Sequence, residues 1–170
     1  MTPSTAKTDF TLRPAVPADV PAIVDLIHEL AAFEHLAHLV RATPDTLLPH
    51  LFGPRPVVEA WVAQVPAGDA AEVVGFGLFF TNFSTFLSQP GLYLEDLFVK
   101  PAHRSSGIGR ALLTRLAQLA VERGFGRFEW SVLDWNENAI RFYEKMGATV
   151  MRDWRICRIS GDALAAFKPI

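Results

Sequence analysis

A chain of 170 residues, half of them hydrophobic and a fifth charged, is long enough for one domain with a real core and too short for two comfortable ones. Its formal net charge of −2 supplies no global basic field to hold nucleic acid or an anionic membrane, and no apolar run is long enough to span a bilayer. Cys157 is the single cysteine, which excludes an intrachain disulfide and a multi-cysteine metal site and suits a reducing cytoplasm.

The polar start, Met1 to Thr8, has no apolar h-region and reads as a flexible tail rather than a secretory signal; residues 9–170 are expected to form a single domain. Phe10-Thr11-Leu12-Arg13 alternates like a first strand and stops at Pro14. Val20, Ile23, Ile27 and Leu30 recur at helical spacing, predicting a helix from about Pro17 to about Glu34. Thr43-Pro44-Asp45 is a helix start, a hydroxyl cap followed by proline in the first turn, and that helix ends at Gly53-Pro54. Val57–Val65 and Val73–Phe80 read as a hairpin-like pair of strands around the turn Pro66-Ala67-Gly68-Asp69. Thr81 to Pro90 reads as a loop. Leu92–Val99 is a nearly continuous apolar strand, a sign of burial on both faces.

Ile108, Leu112, Leu116 and Leu119 mark a strong amphipathic helix that ends near Gly124. Arg127–Leu133 follows as a strand. Asn136 caps a helix whose apolar face carries Ala139, Phe142, Tyr143 and Met146, closed by Gly147. Arg155–Ile159 is expected to supply a last strand, with Cys157 in its core, and a short helical tail completes the chain. Helices inserted between strands of one sheet make an α/β or α+β domain.

Three stretches carry chemistry. The first is Arg104-Ser105-Ser106-Gly107-Ile108-Gly109, a glycine-bearing turn between an apolar strand and a helix. Such a turn aims backbone N–H groups and a helix dipole at one spot, where an anion is favoured. Gly107 and Gly109 lack Cβ, so a phosphate can approach closely. No Gly-Lys-Ser/Thr is present, which excludes a nucleotide P-loop; Leu112 stands where a dinucleotide fingerprint needs a small residue. The second is Glu95-Asp96, side by side in an apolar strand just before that loop. Carboxylates are seldom buried without partners, and one that faces a cleft could take a proton from an attacking ammonium. The third is Asn136-Glu137-Asn138-Ala139-Ile140-Arg141-Phe142-Tyr143, where periodicity alone makes Tyr143 a core tyrosine. His35 and His38 lack a third ligand, so no metal is expected.

Arg-x-x-Gly-x-Gly after a strand, and Asn-x-x-Ala-x-x-Phe-Tyr-x-x-x-Gly on the later helix, resemble the two motifs of the GNAT acetyltransferase superfamily. Glu29-Leu30-Ala31-Ala32-Phe33-Glu34, Val74-Gly75-Phe76 and Leu92-Tyr93-Leu94-Glu95-Asp96-Leu97-Phe98-Val99 look like its diamine (spermidine/spermine) branch, which includes thialysine acetyltransferases. The likeness runs from about Arg13 to about Ile159. It implies a GNAT-like fold, a central mixed sheet splayed near Glu95 with helices on both faces, and acetyl transfer from acetyl-CoA to the primary amine of a small cationic acceptor. By that resemblance the Leu97, Phe98 and Val99 backbone holds the pantetheine arm, and Arg104, Ser105, Ser106, Gly107, Ile108 and Gly109 hold the pyrophosphate. Asn136, Glu137, Asn138 and Ala139 would line the cofactor. Tyr143 would be the acid and Glu95 the base. Phe33, Glu34, Glu95, Glu129, Trp130 and Ser131 would line the amine site.

The resemblance also implies a homodimer, with the Trp154–Ile159 segment in its interface. Two departures weigh against a long polyamine: Phe33 replaces a tyrosine, and Thr149–Asp153 is short and weakly acidic. The rival functions are acetylation of a protein amino terminus or lysine, and an acyl-CoA-binding module without turnover.

Overall fold

In a computed structural model, residues 9–167 are described; the polar start, residues 1–8, lies outside them. They form two compact units, one ending at Ser131 and one beginning at Val132.

The first unit holds β1 (Thr11–Pro14), α1 (Val20–Phe33), α2 (Pro44–Phe52), β2 (Glu59–Ala67), β3 (Ala70–Ser84), β4 (Gln89–Val99), α3 (Ile108–Glu122) and β5 (Phe128–Trp130). Its five strands lie in chain order, β1-β2-β3-β4-β5. The first four are antiparallel and β5 runs parallel to β4, because α3 carries the chain back across the sheet as a crossover connection. The sheet is therefore mixed, with helices on both faces, as expected.

Helical periodicity decides which face each helix covers. Val20, Ile23 and Leu26 of α1 and Leu51 of α2 are buried against Val62, Phe76, Leu78 and Phe98. Ile108 and Leu112 of α3 pack on the opposite face, against Ala63, Val65 and Val74, with Leu97 and Val99 alongside. Each such fully buried aliphatic side chain is worth about 1.5–3 kcal/mol of transfer free energy. Local signals set the helix ends. Thr43 Oγ1 accepts from the Thr46 amide at the start of α2. After α3, Gly124 takes φ +67° and the Phe125 amide reaches back to the Ala120 carbonyl at 2.9 Å, which satisfies a carbonyl the helix leaves open.

Thr81–Pro90 differs from the expected loop. Its pairing continues from Thr81↔Leu92 to Ser84↔Gln89, so β3 and β4 are one long hairpin with a tip at 85–88. The alternation of Phe80, Asn82 and Ser84 with Thr81 and Phe83 is a strand pattern that polar residues had hidden. The expected strand Arg127–Leu133 is shorter, Phe128–Trp130.

The second unit contains α4 (Glu137–Lys145) and α5 (Gly161–Ala165). The expected last strand, Arg155–Ile159, is absent among the described residues, which show no ladder partner there. A strand needs a neighbour for its backbone groups. Cys157 is accordingly exposed rather than in a core.

Candidate active site

The loop after β4 is shaped by its own backbone. The Lys100 amide donates to the Val74 carbonyl at 2.9 Å, closing β4. A single turn of 3-10 helix, Pro101–His103, follows, and Ser106 Oγ donates to the His103 carbonyl at 2.6 Å. Ser105 and Gly107 both take left-handed conformations, φ +63° and +93°. Left-handed residues alternating with others turn successive N–H groups toward one side and make an anion-binding nest. Gly107 is the cap residue of α3, and no side chain caps that helix start. Its first amides thus remain available to an outside acceptor. A Cβ on Gly107 would meet nothing within 4 Å, and one on Gly109 only Val99 Cγ2 at 3.9 Å. Internal packing therefore does not demand these glycines; the positive φ of Gly107 and an open approach do.

Arg104 folds back over the ends of β4 and α1. Its Nε donates to the Val99 carbonyl at 3.1 Å, and its guanidinium lies 4.8 Å from the centre of the Phe33 ring and 5.3 Å from that of Phe98.

The splay sits at Glu95. Gly75↔Val99 through Leu78↔Asp96 keep one register, and Phe79 then pairs with Leu94, so Glu95 is the extra residue of a β-bulge. Pairing of β4 with β5 covers Leu92, Tyr93 and Leu94 and ends at Leu94↔Trp130. Residues 95–99 therefore have no strand neighbour on the β5 side among the described residues. An edge of that kind can take an extended ligand as an added strand.

The bulge also re-aims the carboxylates. Glu95 is exposed and Asp96 is half-buried. Burial, helped by the negative charges of Glu95 and Glu34, pushes the Asp96 carboxyl up to about 6. Burial alone raises that of Glu34, at the end of α1. Three carboxylates thus converge where α1 ends and β4 bulges, with the best-hidden one set to exchange a proton near neutrality. The strand's sequence pointed to a carboxylate pair but not to Asp96 as the perturbed member. That outcome depends on the bulge, which needs the β3 register to be seen.

On the same stretch of sheet the remaining predicted wall residues have partners. Glu129 forms an ion pair with Arg127 at 2.9 Å and accepts from Asn82 Nδ2 at 3.2 Å. Ser131 Oγ and the Tyr93 hydroxyl are 2.8 Å apart, Tyr93 stacks beside Phe80 with ring centres at 5.1 Å, and the Trp130 ring lies 4.8 Å from Phe128. Tyr93 carried no signal beyond its alternation.

In the second unit, Asn136 Oδ1 accepts from the Ala139 amide at 3.2 Å, which fixes the start of α4. Arg141 bonds Glu137 at 3.1 Å and Asn138 at 2.6 Å, so these three polar side chains organise the helix itself. Tyr143 is half-buried, its ring 5.3 Å from Phe142, and its carbonyl accepts from Met146 and Ala148 at 2.9 and 3.1 Å. Among the described residues no group of three His, Cys, Asp or Glu could hold a metal ion, and no helix is long and apolar enough to cross a membrane.

A bulged, splayed strand followed by an uncapped amide nest offers a free edge for an extended ligand and, next to it, a place for an anion. The acetyltransferase (GNAT) family model matches residues 24–148, and the chain belongs to that family; it is an N-acetyltransferase. Among curated relatives, the L-ornithine N5-acetyltransferase of Arabidopsis thaliana is 39% identical, over 91% of this chain and 86% of that protein. The thialysine N-epsilon-acetyltransferase of Mus musculus is 35% identical, over 90% and 94%. An integron cassette protein from the mobile metagenome of V. cholerae has the same fold, with a TM-score of 0.74 at 24% identity over 92% of this chain and 96% of that one.

Proposed function

We propose that this enzyme acetylates the terminal primary amine of a small cationic acceptor, a short diamine or a lysine- or ornithine-like amino acid, by direct attack on acetyl-CoA. The observation that carries the reading is the acidic cluster of Glu34, Glu95 and Asp96 at the bulge of β4. An alkyl ammonium is attracted by such a cluster and must lose a proton before it can attack. The names of the ornithine and thialysine relatives support the acceptor class. The family match crosses the boundary between the two units, which supports one functional domain over 9–170.

The nest of Arg104 to Gly109 fits acetyl-CoA, whose thioester supplies the activated acetyl group. The amides of the nest hold its pyrophosphate, and the free edge from Leu97 to Val99 holds the pantetheine and steadies the developing oxyanion. Glu95 is the exposed base that meets the ammonium. Asp96, raised to about 6 by burial and by the charges of Glu95 and Glu34, is the neighbouring group set to hold the proton. Phe33 and Glu34 form one acceptor wall, and Glu129, Trp130 and Ser131 the other, with the charge of Glu129 offset by Arg127. Asn136 to Ala139 shape the start of α4 for the cofactor, and Tyr143 protonates the departing thiolate.

The enzyme works in the cytoplasm as a homodimer. Trp154, Ile156 and Ile159, exposed at 73%, 71% and 57%, support an interface on that segment. An acetyl-CoA turnover screen over diamines, polyamines, lysine analogues, amino sugars and peptides tests the acceptor. Turnover of short diamines or basic amino acids is expected, and turnover of peptides alone would replace the reading with protein acetylation. Tyr143→Phe tests the acid: turnover should fall roughly a hundredfold with CoA affinity kept. A near-normal rate would return Tyr143 to the core.

A further inference from the structure

We propose that the acceptor is a basic amino acid rather than a bare diamine, and that Arg127 and Glu129 bind its α-carboxylate and α-ammonium. The proposal rests on the reading of the β4 bulge as the place where the reacting amine sits. Register puts the groups concerned on one face of the sheet. Leu78↔Asp96, Phe80↔Tyr93 and Asn82↔Gly91 pair across β3 and β4, and Tyr93↔Glu129 across β4 and β5. Side chains opposite one another share a face, and positions two apart along a strand return to it. Arg127 and Glu129 therefore lie on the Asp96 side of the sheet. Asp96 is three residues from Tyr93 along β4, no more than about 10 Å. That is the scale of a small amino acid with a hydrogen bond at each end.

Gly91 makes the far end of this face a built site, because two side chains cross β4 above it in opposite directions. Asn82 of β3 donates from Nδ2 to Glu129 Oε2 at 3.2 Å. Arg127, just before β5, donates from Nη2 to the Phe83 carbonyl at 3.2 Å. A Cβ at Gly91 would stand 2.5 Å from Asn82 Oδ1 and 2.8 Å from Arg127 Cγ, so only glycine lets both pass. The crossing holds Arg127 Nε 2.9 Å from Glu129 Oε2, yet that Nε is buried and makes no hydrogen bond. Charge rather than a directed bond joins the pair. Arg127 Nη1 and Glu129 Oε1 have no partner among the described residues, and the two side chains are 33% and 43% exposed. With a guanidinium so near, Glu129 offers little to a lone second ammonium. A base and an acid side by side suit a head group that carries both charges, and the planar fork of Arg127 suits a carboxylate. Tyr93 stacks beside Phe80 and its hydroxyl reaches Ser131, past the end of the β4–β5 pairing. Its ring gives the methylenes an apolar floor on the way to Asp96.

The experiment compares kcat/KM for two matched pairs, L-ornithine with 1,4-diaminobutane and L-lysine with 1,5-diaminopentane. Each diamine is the amino acid without its carboxylate. In the parent enzyme at least one amino acid should exceed its diamine by about tenfold or more, the scale of a charge-assisted hydrogen bond. Arg127→Gln should cut that ratio about tenfold, and Arg127→Lys by less, because a point charge still attracts the carboxylate. A side chain that only supports the sheet would change both rates alike and leave the ratio where it was. The carboxamide of the preferred amino acid puts the same question to the parent protein without any substitution, and should be used about tenfold less well than the acid. No preference for either amino acid in the parent, an unchanged ratio in folded Arg127→Gln, or full use of the carboxamide would each overturn the proposal and leave Arg127 a structural partner of Glu129. Turnover of peptides with all four small amines refused would instead remove the acceptor reading on which it rests.

Discussion

Two aspartates in the first unit have opposite surroundings. Asp19, 6% exposed, sits where β1 meets α1. Its two oxygens accept from Arg13 at 2.6 and 2.8 Å and one also takes the Val16 amide at 2.8 Å. Arg13 is in turn held by Gln64 at 2.8 Å. Those bonds, the Arg13 side chain above all, hold the carboxyl below its ordinary range despite burial. Asp96 has no such partner. Burial acts on it first, and the nearby negative charges of Glu95 and Glu34 add to it. One carboxylate is ion-paired and stabilises a corner of the fold; the other has no cationic partner and is primed to take a proton. An acid that stabilises nothing where it stands is a mark of chemistry.

The largest effect expected from this contrast is on turnover. Asp96→Asn removes the proton-accepting group and should lower kcat/KM for a small amine by roughly a hundredfold at neutral pH, while the protein stays folded. Steady-state rates against pH give the check. The parent enzyme should lose activity below an apparent value near 6, and the Asn variant should lack that limb and rise only as the free amine deprotonates. An unchanged limb in the variant would leave the proton to Glu95 alone. Asp19→Asn, by contrast, should leave the rate per folded molecule as it was.

Next in size is stability at the other site. Asp19→Ala leaves Arg13 without its carboxylate and the Val16 amide without its acceptor. Removing one partner of a buried pair costs about 3–5 kcal/mol, and the third of the Arg13 side chain that water reaches brings the expectation to about 2–3 kcal/mol. Urea unfolding measures it. A loss below about 1 kcal/mol would mean that the corner is held by its apolar packing and that the ion pair is incidental.

The pH dependence of stability carries opposite signs at the two sites. Asp96 binds its proton more tightly folded than unfolded, so its contribution falls as pH rises from its ordinary value, 3.8, to about 6. Across that window it should remove about 2 kcal/mol of stability, and Asp96→Asn should recover about that much at pH 7. Asp19 has its folded value lowered. Its contribution is present above its unfolded value and is lost as pH falls through the folded one. Unfolding free energies of the Asp96→Asn variant that still decline between pH 4 and 6 would assign the slope to Glu34, which burial also raises.

Much of the scaffold was legible in the sequence, because its signals are local. Helical spacing from Val20 to Leu30, the Thr43-Pro44 start and the glycines of the nest each need only a few neighbouring residues to be read. The site's finer features depend on distant strands. Glu95 becomes the bulged residue only through its register with β3. Asp96 becomes the perturbed carboxyl only once the fold buries it, with the charges of Glu95 and then Glu34 adding to the shift. The rings beside the Arg104 guanidinium come from residues 71 places back and 6 places back along the chain, Phe33 and Phe98. The segment around Cys157 shows the converse. Arg155–Ile159 has strand composition, but nothing among the described residues pairs with it, and propensity without a neighbour makes no strand.

The smallest effect concerns the loop, where the backbone repeats the contrast between the two aspartates. Ser105 takes φ +63°, a conformation that costs a residue with a Cβ about 1 kcal/mol. Like the charge on Asp96, this strain is retained at the site rather than relieved. Ser105→Gly removes it, but the unfolded chain gains freedom at the same position, worth about 0.4–1 kcal/mol in the other direction. The two terms nearly cancel, so melting should shift by no more than a degree or two. CoA affinity should also hold, because the amide that faces the phosphate is still present and its direction is unchanged. A clear fall in CoA affinity with stability intact would show that the Ser105 hydroxyl itself binds phosphate. A clear gain in stability would show that the strain at this residue exceeds the entropic term. In that case the loop, like the bulge, gives up stability for its geometry.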